Sequence, residues 1–255
     1  MVKFIIKKET MNYPKPIYIP QTISTNVSLA EICSKGITEN LTSVYSSFQT
    51  DGRGQRGNKW ESEDGKNLLF SFVVFPKELP AREHFILLQI TALALFDTLS
   101  EYTDGIRIKW PNDIYWTDKK ICGTLIENDL SGMDIERSIS GTGVNLNQKI
   151  FRSNVPNPVS LSQITGQEYD AETILHKIME HASCYYRMYE NGDSENIRRK
   201  YFDAIYRKDG FHRYRDENGE FEAKIEDIEK DGRFILKDRE GNVRKYLFKE
   251  VEYII

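Results

Sequence analysis

The stretch Gln49-Thr50-Asp51-Gly52-Arg53-Gly54-Gln55-Arg56-Gly57-Asn58-Lys59-Trp60 constrains this chain more than any other. Three glycines in six positions give a backbone that can turn sharply and let an anion approach its N–H groups. Arg53 and Arg56 alternate with those glycines, so the loop carries fixed positive charge beside exposed amide donors. That pairing suits a phosphate, a carboxylate, or both. Trp60 at the exit offers a flat face for a base or a ring. Gly52-x-Gly54-x-x-Gly57 spells the dinucleotide fingerprint, but that motif opens a helix directly. Here Asn58 to Ser62 lacks a helical apolar period and leads to the turn Glu63-Asp64-Gly65-Lys66 and the strand-like run Asn67 to Phe75. A kinase glycine loop is excluded as well, because the chain contains no His-Arg-Asp or Asp-Phe-Gly triplet. The loop reads as a lid over an anionic, partly aromatic ligand.

A second block, Ile108-Lys109-Trp110-Pro111-Asn112-Asp113, runs into Ile114 to Glu127. Pro111 pushes Trp110 out of the α region, and Asn112-Asp113 makes a turn. Two strands then meet at Thr117-Asp118-Lys119, a hairpin that sets Lys120 early on the second strand. Cys122-Gly123 removes side-chain bulk just beyond, as a strand does where a ligand presses on its backbone. Lys120 is therefore a candidate point charge facing a close-packed ligand.

Together these segments resemble the biotin–protein ligase family. The family's blocks occur here in order: Ser24-Thr25-Asn26, the glycine–arginine loop with its tryptophan, Lys-Trp-Pro-Asn-Asp, Lys120-x-x-Gly123, and Gly141-Thr142-Gly143-Val144-Asn145. Ser160-Leu161 with Gly166 is a weaker sixth. The resemblance covers Ile17 to Gly166 strongly and the tail more loosely. It implies an α+β fold in which a mixed, largely antiparallel sheet packs with helices, in the manner of a class II synthetase, followed by a small C-terminal SH3-like β barrel. Residues 1–208 would form the biotin- and ATP-binding domain, and 209–255 the barrel.

Periodicity is consistent with that layout. Ser24 or Thr25 caps a helix that Gly36 stops. Leu41 to Gln49 alternates as a strand, and Ala81 to Tyr102 is a long, nearly all-apolar and hence central helix. Strands are expected at 106–110, 113–117, 120–128 and 135–145, and helices at Asp170 to Tyr189 and Ser194 to Tyr206. Beyond Gly210, Asn218-Gly219, Asp231-Gly232 and Glu240-Gly241-Asn242 separate short strands at 221–225, 233–236 and 244–248, a run of hairpins.

Bulk properties exclude several classes. At 255 residues, 29% charged and net charge −4, the chain reads as an ordinary globular protein with no electrostatic footprint for DNA. Leu87 to Phe96 is half a membrane span and the N-terminus has too short an apolar run for a signal peptide, so the expected place is the cytoplasm, off the membrane. Cys33, Cys122 and Cys184 have no paired spacing and read as reduced thiols. His84, His176, His181 and His212 match no triad or ligand spacing, and no carboxylate pair has metal-site spacing.

The resemblance also implies a chemistry and the residues for it. Biotin and ATP give biotinyl-adenylate and pyrophosphate, with magnesium escorting the phosphates; biotin then passes to a lysine of a biotin carboxyl carrier protein. Joining a carboxylate to a phosphate means overcoming about 4 kcal/mol of repulsion at ~4 Å and an effective dielectric near 20. Arg53 and Lys120 are the candidate catalytic cations. Ser24, Thr25, Asn26, Gln49, Gly52, Arg53, Gly54, Gln55, Lys120 and Gly123 are the biotin-site candidates, the neutral ones suiting a ureido head. Arg53, Arg56, Trp60, Asn112, Lys120, Gly143 and Asn145 are those for the nucleotide, with Trp60 stacking on adenine. Asp113 is the candidate base for the transfer step. Two departures stand out. Only Met1 to Ile23 precede the Ser-Thr-Asn block, so a monofunctional ligase without the family's DNA-binding domain is expected; a homodimer remains open. Gln55 stands where well-known members place another arginine. The alternatives are a lipoate–protein ligase-like enzyme and a non-catalytic biotin-binding regulator.

Overall fold

The computed structural model describes residues 13–36, 38–54, 59–152 and 157–255. Seven strands form the main sheet: β1 (Ile17–Thr22), β2 (Ser43–Gln49), β3 (Leu68–Val74), β4 (Ile106–Lys109), β5 (Asp113–Trp116), β6 (Lys119–Ser131) and β7 (Asp134–Val144). Their order is β1-β2-β3-β7-β6-β5-β4. Only the β1–β2 pair is parallel; every other neighbour is antiparallel. The sheet is thus mixed and largely antiparallel, as expected. β1 is the one strand of this sheet that periodicity did not flag. It is an edge strand with mostly exposed side chains, so no buried face writes an alternating pattern into its sequence.

The two faces of the sheet are covered unequally. Leu68, Phe70, Phe72 and Val74 of β3 join the main core, to which α2 (Phe85–Ser100) and α4 (Ala171–Glu190) contribute. α2 is buried along nearly its whole length, which explains its almost uninterrupted apolar sequence. The expected helix 81–102 is shorter, with a separate 3₁₀ turn at Ala81–Glu83 after Pro80. Among the described residues the other face carries only α1 (Thr25–Ser34), with a small satellite core of Leu29, Val44, Val73 and Ile139. The candidate site lies on the rest of that face.

After α3 (Leu161–Thr165), α4 and α5 (Ser194–Asp203), the tail folds as a five-stranded antiparallel sheet. Its strands are β8 (His212–Asp216), β9 (Gly219–Ile228), β10 (Phe234–Asp238), β11 (Val243–Tyr246) and β12 (Glu252–Tyr253), in the order β11-β10-β9-β8-β12. The turn signals at 218–219, 231–232 and 240–242 each join successive strands. β8 and β12 went unflagged because charged residues dominate the first and two residues carry no period.

Trp110 joins the two sheets. Its indole stacks on Phe234 with centroids 4.8 Å apart and an 11° interplanar angle, and its Nε1–H donates to the Gly232 carbonyl at 3.0 Å. Gly232 has φ +90° and packs so closely on α2 that a Cβ there would reach Phe85 at 2.5 Å. Tyr201 adds a buried hydrogen bond to the Pro111 carbonyl at 2.6 Å, directly after the cis Trp110–Pro111 bond. Among the described residues no helix is long and apolar enough to cross a membrane. Removing the Trp110 ring should cost about 3–5 kcal/mol, as for other buried aromatics. Chemical denaturation of Trp110→Ala is the check, and a loss below about 1 kcal/mol would show that the second sheet docks by other contacts.

Candidate active site

A cavity of about 570 Å³ opens on the face that α1 leaves uncovered. Its walls come from the start of α1 (Ser24, Thr25, Asn26), the end of β2 (Gln49), the loop residues Arg53, Gly54, Lys59 and Trp60, and the β5–β6–β7 surface from Asn112 to Gly143. Phe248 and Lys249 reach it from the C-terminal sheet.

One end is lined by neutral, hydrogen-bonded side chains. The Thr25 backbone N–H and hydroxyl both donate to Gln49 Oε1, at 2.8 and 3.1 Å. Ser71 Oγ lies 2.7 Å from the Thr25 hydroxyl and 2.6 Å from Asn26 Oδ1. Asn26 Nδ2 donates to Glu127 Oε2 at 2.6 Å. A path of polar contacts therefore runs from β2 through α1 and β3 to β6. α1 can sit this low on the sheet only because position 141 lacks a side chain: a Cβ there would overlap the Asn26 amide.

The other end is charged. Lys120 Nζ pairs with Asp113 Oδ1 at 2.7 Å, and the two side chains are only 20% and 28% exposed. Nearer α1, where Glu127 meets Asn26, Arg53 pairs more loosely with that carboxylate, at 3.4 Å, with both side chains nearly half exposed. Lys109 also lines the charged end. Burial pushes its amine below the usual lysine range, against the pull of Asp113. Its ammonium donates to Tyr115 Oη at 3.2 Å and lies over the Tyr115 and Tyr253 rings.

Trp60 lies on the floor between these ends. A Cβ at Gly123 would meet its ring at 2.9 Å, and one at Gly143 would overlap the indole. The strand surface that Gly123 was expected to offer a ligand is thus covered by Trp60 in this structure. The indole Nε1 is buried with no partner among the described residues, and Lys120 Nζ stands 5.9 Å from the ring centroid. The loop closes at its base through Trp60 N–H to the Gly52 carbonyl at 2.9 Å and an Arg53–Lys59 bridge.

Most of the expected residues therefore gather at one cavity: Ser24, Thr25, Asn26, Gln49, Arg53, Gly54, Trp60, Asn112, Lys120, Gly123 and Gly143. Gln55 and Arg56 lie outside the described residues. Gly52 stands just behind the lining, buried against Trp60 and Gln49. Asn145 does not reach the lining; its Nδ2 donates to the Val159 carbonyl at 3.2 Å and braces the segment before α3. Asn112 is buried, with its amide donating to the Thr124 carbonyl at 2.6 Å. Sequence reasoning missed Lys109 and Glu127 as site residues. Lys109 belongs to the Lys-Trp-Pro-Asn-Asp block and could have been found there. Glu127 lies four residues beyond Gly123 on the same face of β6, a period-two signal obscured by the surrounding polar residues. Among the described residues, no group of three or more His, Cys, Asp or Glu side chains is placed to hold a metal ion.

The biotin/lipoate A/B protein ligase family model matches residues 18–145, half of the chain, and the protein belongs to that family. The Bacillus subtilis bifunctional ligase/repressor BirA is 28% identical over 258 residues, spanning 98% of this chain and 77% of that protein. The Paracoccus denitrificans biotin–[acetyl-CoA-carboxylase] ligase is 31% identical over 166 residues, 62% of this chain and 67% of the relative. Among solved structures, the biotin protein ligase from Aquifex aeolicus in complex with biotin and ATP superposes with a TM-score of 0.77 at 25% identity, covering 95% of this chain and 100% of that one.

Gly141→Ala tests the packing of α1. The new methyl group overlaps a buried amide that is held on both sides, so the substitution should cost about 1–3 kcal/mol. Gly36→Ala is the control: a Cβ there would meet no other side chain or backbone within 4 Å among the described residues, and its effect should stay within about 0.5 kcal/mol. Thermal unfolding of both variants measures the contrast.

Proposed function

We propose that this protein is an ATP-dependent ligase that activates biotin as biotinyl-5′-adenylate and transfers it to a lysine of a biotin carboxyl carrier protein. The observation that carries the reading is the polarity of one cavity, with a neutral hydrogen-bonding end and a cationic end. Thr25, Gln49 and Asn26 offer hydroxyl and amide groups suited to an uncharged ureido head. Lys120 faces the other end, where a carboxylate and a phosphate must approach each other, and Arg53 lines the same cavity from beside Glu127.

In the first step a biotin carboxylate oxygen attacks the α-phosphorus, and the bond to the β-phosphate oxygen breaks to release pyrophosphate. Lys120 neutralises the approaching carboxylate and the α-phosphate, while Arg53 grips phosphate with its planar fork. In the second step the acceptor lysine nitrogen attacks the acyl carbon and AMP leaves. Asp113, beside Lys120, is the candidate acceptor of the amine proton. Trp60 and Asn112 are assigned to the nucleotide side. Magnesium fits as the companion of the phosphates, since it keeps several waters and needs only one or two protein carboxylates. Residues 209–255 are read as a separate unit whose Phe248 and Lys249 complete the wall. The proposed setting is the cytoplasm, with no DNA partner. A gel shift with biotin and ATP at physiological salt should show no sequence-specific complex.

Incubating a carrier domain with biotin, ATP, magnesium and the protein should add one biotinyl group to one lysine by mass spectrometry. The family description also admits lipoate. Lipoate transfer, or thermal stabilisation by lipoate and ATP in preference to biotin and ATP, would replace the proposed acid. Lys120→Ala should leave the fold intact and slow pyrophosphate release a hundredfold or more, as loss of one positioned electrostatic group does. Release at near wild-type rate would remove Lys120 from the mechanism.

A further inference from the structure

We infer that Glu127 is a positioning residue of this site: one carboxylate oxygen anchors the Asn26 amide while the other holds Arg53, so a substrate phosphate gains Arg53 by displacing Glu127. The inference rests on the proposed reading, in which Arg53 grips the nucleotide phosphate.

The two contacts of Glu127 differ in kind. The bond from Asn26 Nδ2 is short, 2.6 Å, and comes from a side chain that is 4% exposed. Asn26 has little freedom to turn, because its Oδ1 meets the Ser71 hydroxyl at 2.6 Å and is pressed onto the backbone of Gly141. Only its Nδ2 is left to face β6. That bond is charge-assisted and fixed by its surroundings. The contact with Arg53 is longer, 3.4 Å, between side chains that are 44% and 43% exposed. Pairs of that geometry and exposure are weak and screened by solvent. A phosphate presenting two oxygens to the guanidinium fork outcompetes such a partner.

Glu127 therefore works as a fixed post on one side and an exchangeable counter-ion on the other. It keeps Arg53 beside the start of α1 before the nucleotide arrives. Lys120 is likewise paired with a carboxylate, Asp113, though more tightly, at 2.7 Å. Each of the two candidate catalytic cations thus rests on a carboxylate of its own. The anion that arrives meets a cation already oriented, at the cost of displacing a neighbour.

Glu127→Gln separates the two contacts. The glutamine carbonyl oxygen still accepts from Asn26, while the charge that competes for Arg53 is gone. Affinity for ATP, measured by calorimetric titration, should rise about two- to fivefold, the range of a half-exposed ion pair. The KM for biotin should rise less than in Glu127→Ala, because the bond to Asn26 is kept though no longer charge-assisted. In an Arg53→Ala background Glu127→Gln should leave ATP affinity where it was. Glu127→Ala, which also removes the post for Asn26, should raise the KM for biotin. Unchanged or weaker ATP binding by Glu127→Gln would overturn the inference, as would a gain that persists without Arg53. The titration needs no biotin. A wild-type protein that binds ATP but transfers no biotin would overturn the proposed acid alone, while tighter ATP binding by Glu127→Gln would still support the role of Glu127.

Discussion

The seat of α1 on the sheet is the constraint on which the site depends. The helix is only ten residues long and lies on a face with a small apolar core of its own, so hydrophobic burial holds it weakly. The run of hydrogen bonds linking Gln49, Thr25, Ser71, Asn26 and Glu127 supplies the rest. Each member is a partner for another, and orphaning a buried member costs about 1–3 kcal/mol. The same contacts that fix the helix also leave a pre-shaped neutral pocket at its N-terminus. Stability and recognition therefore draw on one set of side chains, and Gly141 is the vacancy that lets the set close.

The charged end follows another logic. Lys109 and Lys120 stand close enough for their like charges to repel, while Arg53 lines the same cavity from the Asn26 side. Asp113 and Glu127 stand among them as counter-charges, and the Tyr115 and Tyr253 rings face the Lys109 ammonium. On the proposed reading, substrate anions would replace existing partners and need not organise the cations themselves. Fixed charges of this kind stabilise charge that shifts during a reaction, because little reorganisation remains to be done.

Trp110 shows how one short block serves two purposes. Its indole is committed to the interface with the C-terminal sheet, stacking on Phe234 and bonding to Gly232. Its neighbours Lys109, Asn112 and Asp113 line the cavity instead. The turn at Pro111 makes this division, sending the tryptophan to the core and the polar residues to the site. The main hydrophobic core consequently continues from the first sheet into the second.

Local sequence determined the elements whose residues carry a pattern or a turn signal. The apolar run of α2, the hairpin before Lys120 and the glycine–arginine loop were all legible, because propensity and periodicity act over a few neighbours. The five ordered blocks also named most of the cavity. What the sequence left unspecified is how those blocks face each other. Nothing local to Asn145 indicates that its amide turns to Val159. Nothing local to Trp60 indicates that it covers Gly123 and Gly143 on strands more than sixty residues away. Glu127 reads as one more surface acid until the β6–β7 register and the seat of α1 bring it to Asn26 and Arg53. Those roles belong to tertiary structure, because a side chain's chemistry depends on partners that only the closed sheet and the docked helix provide.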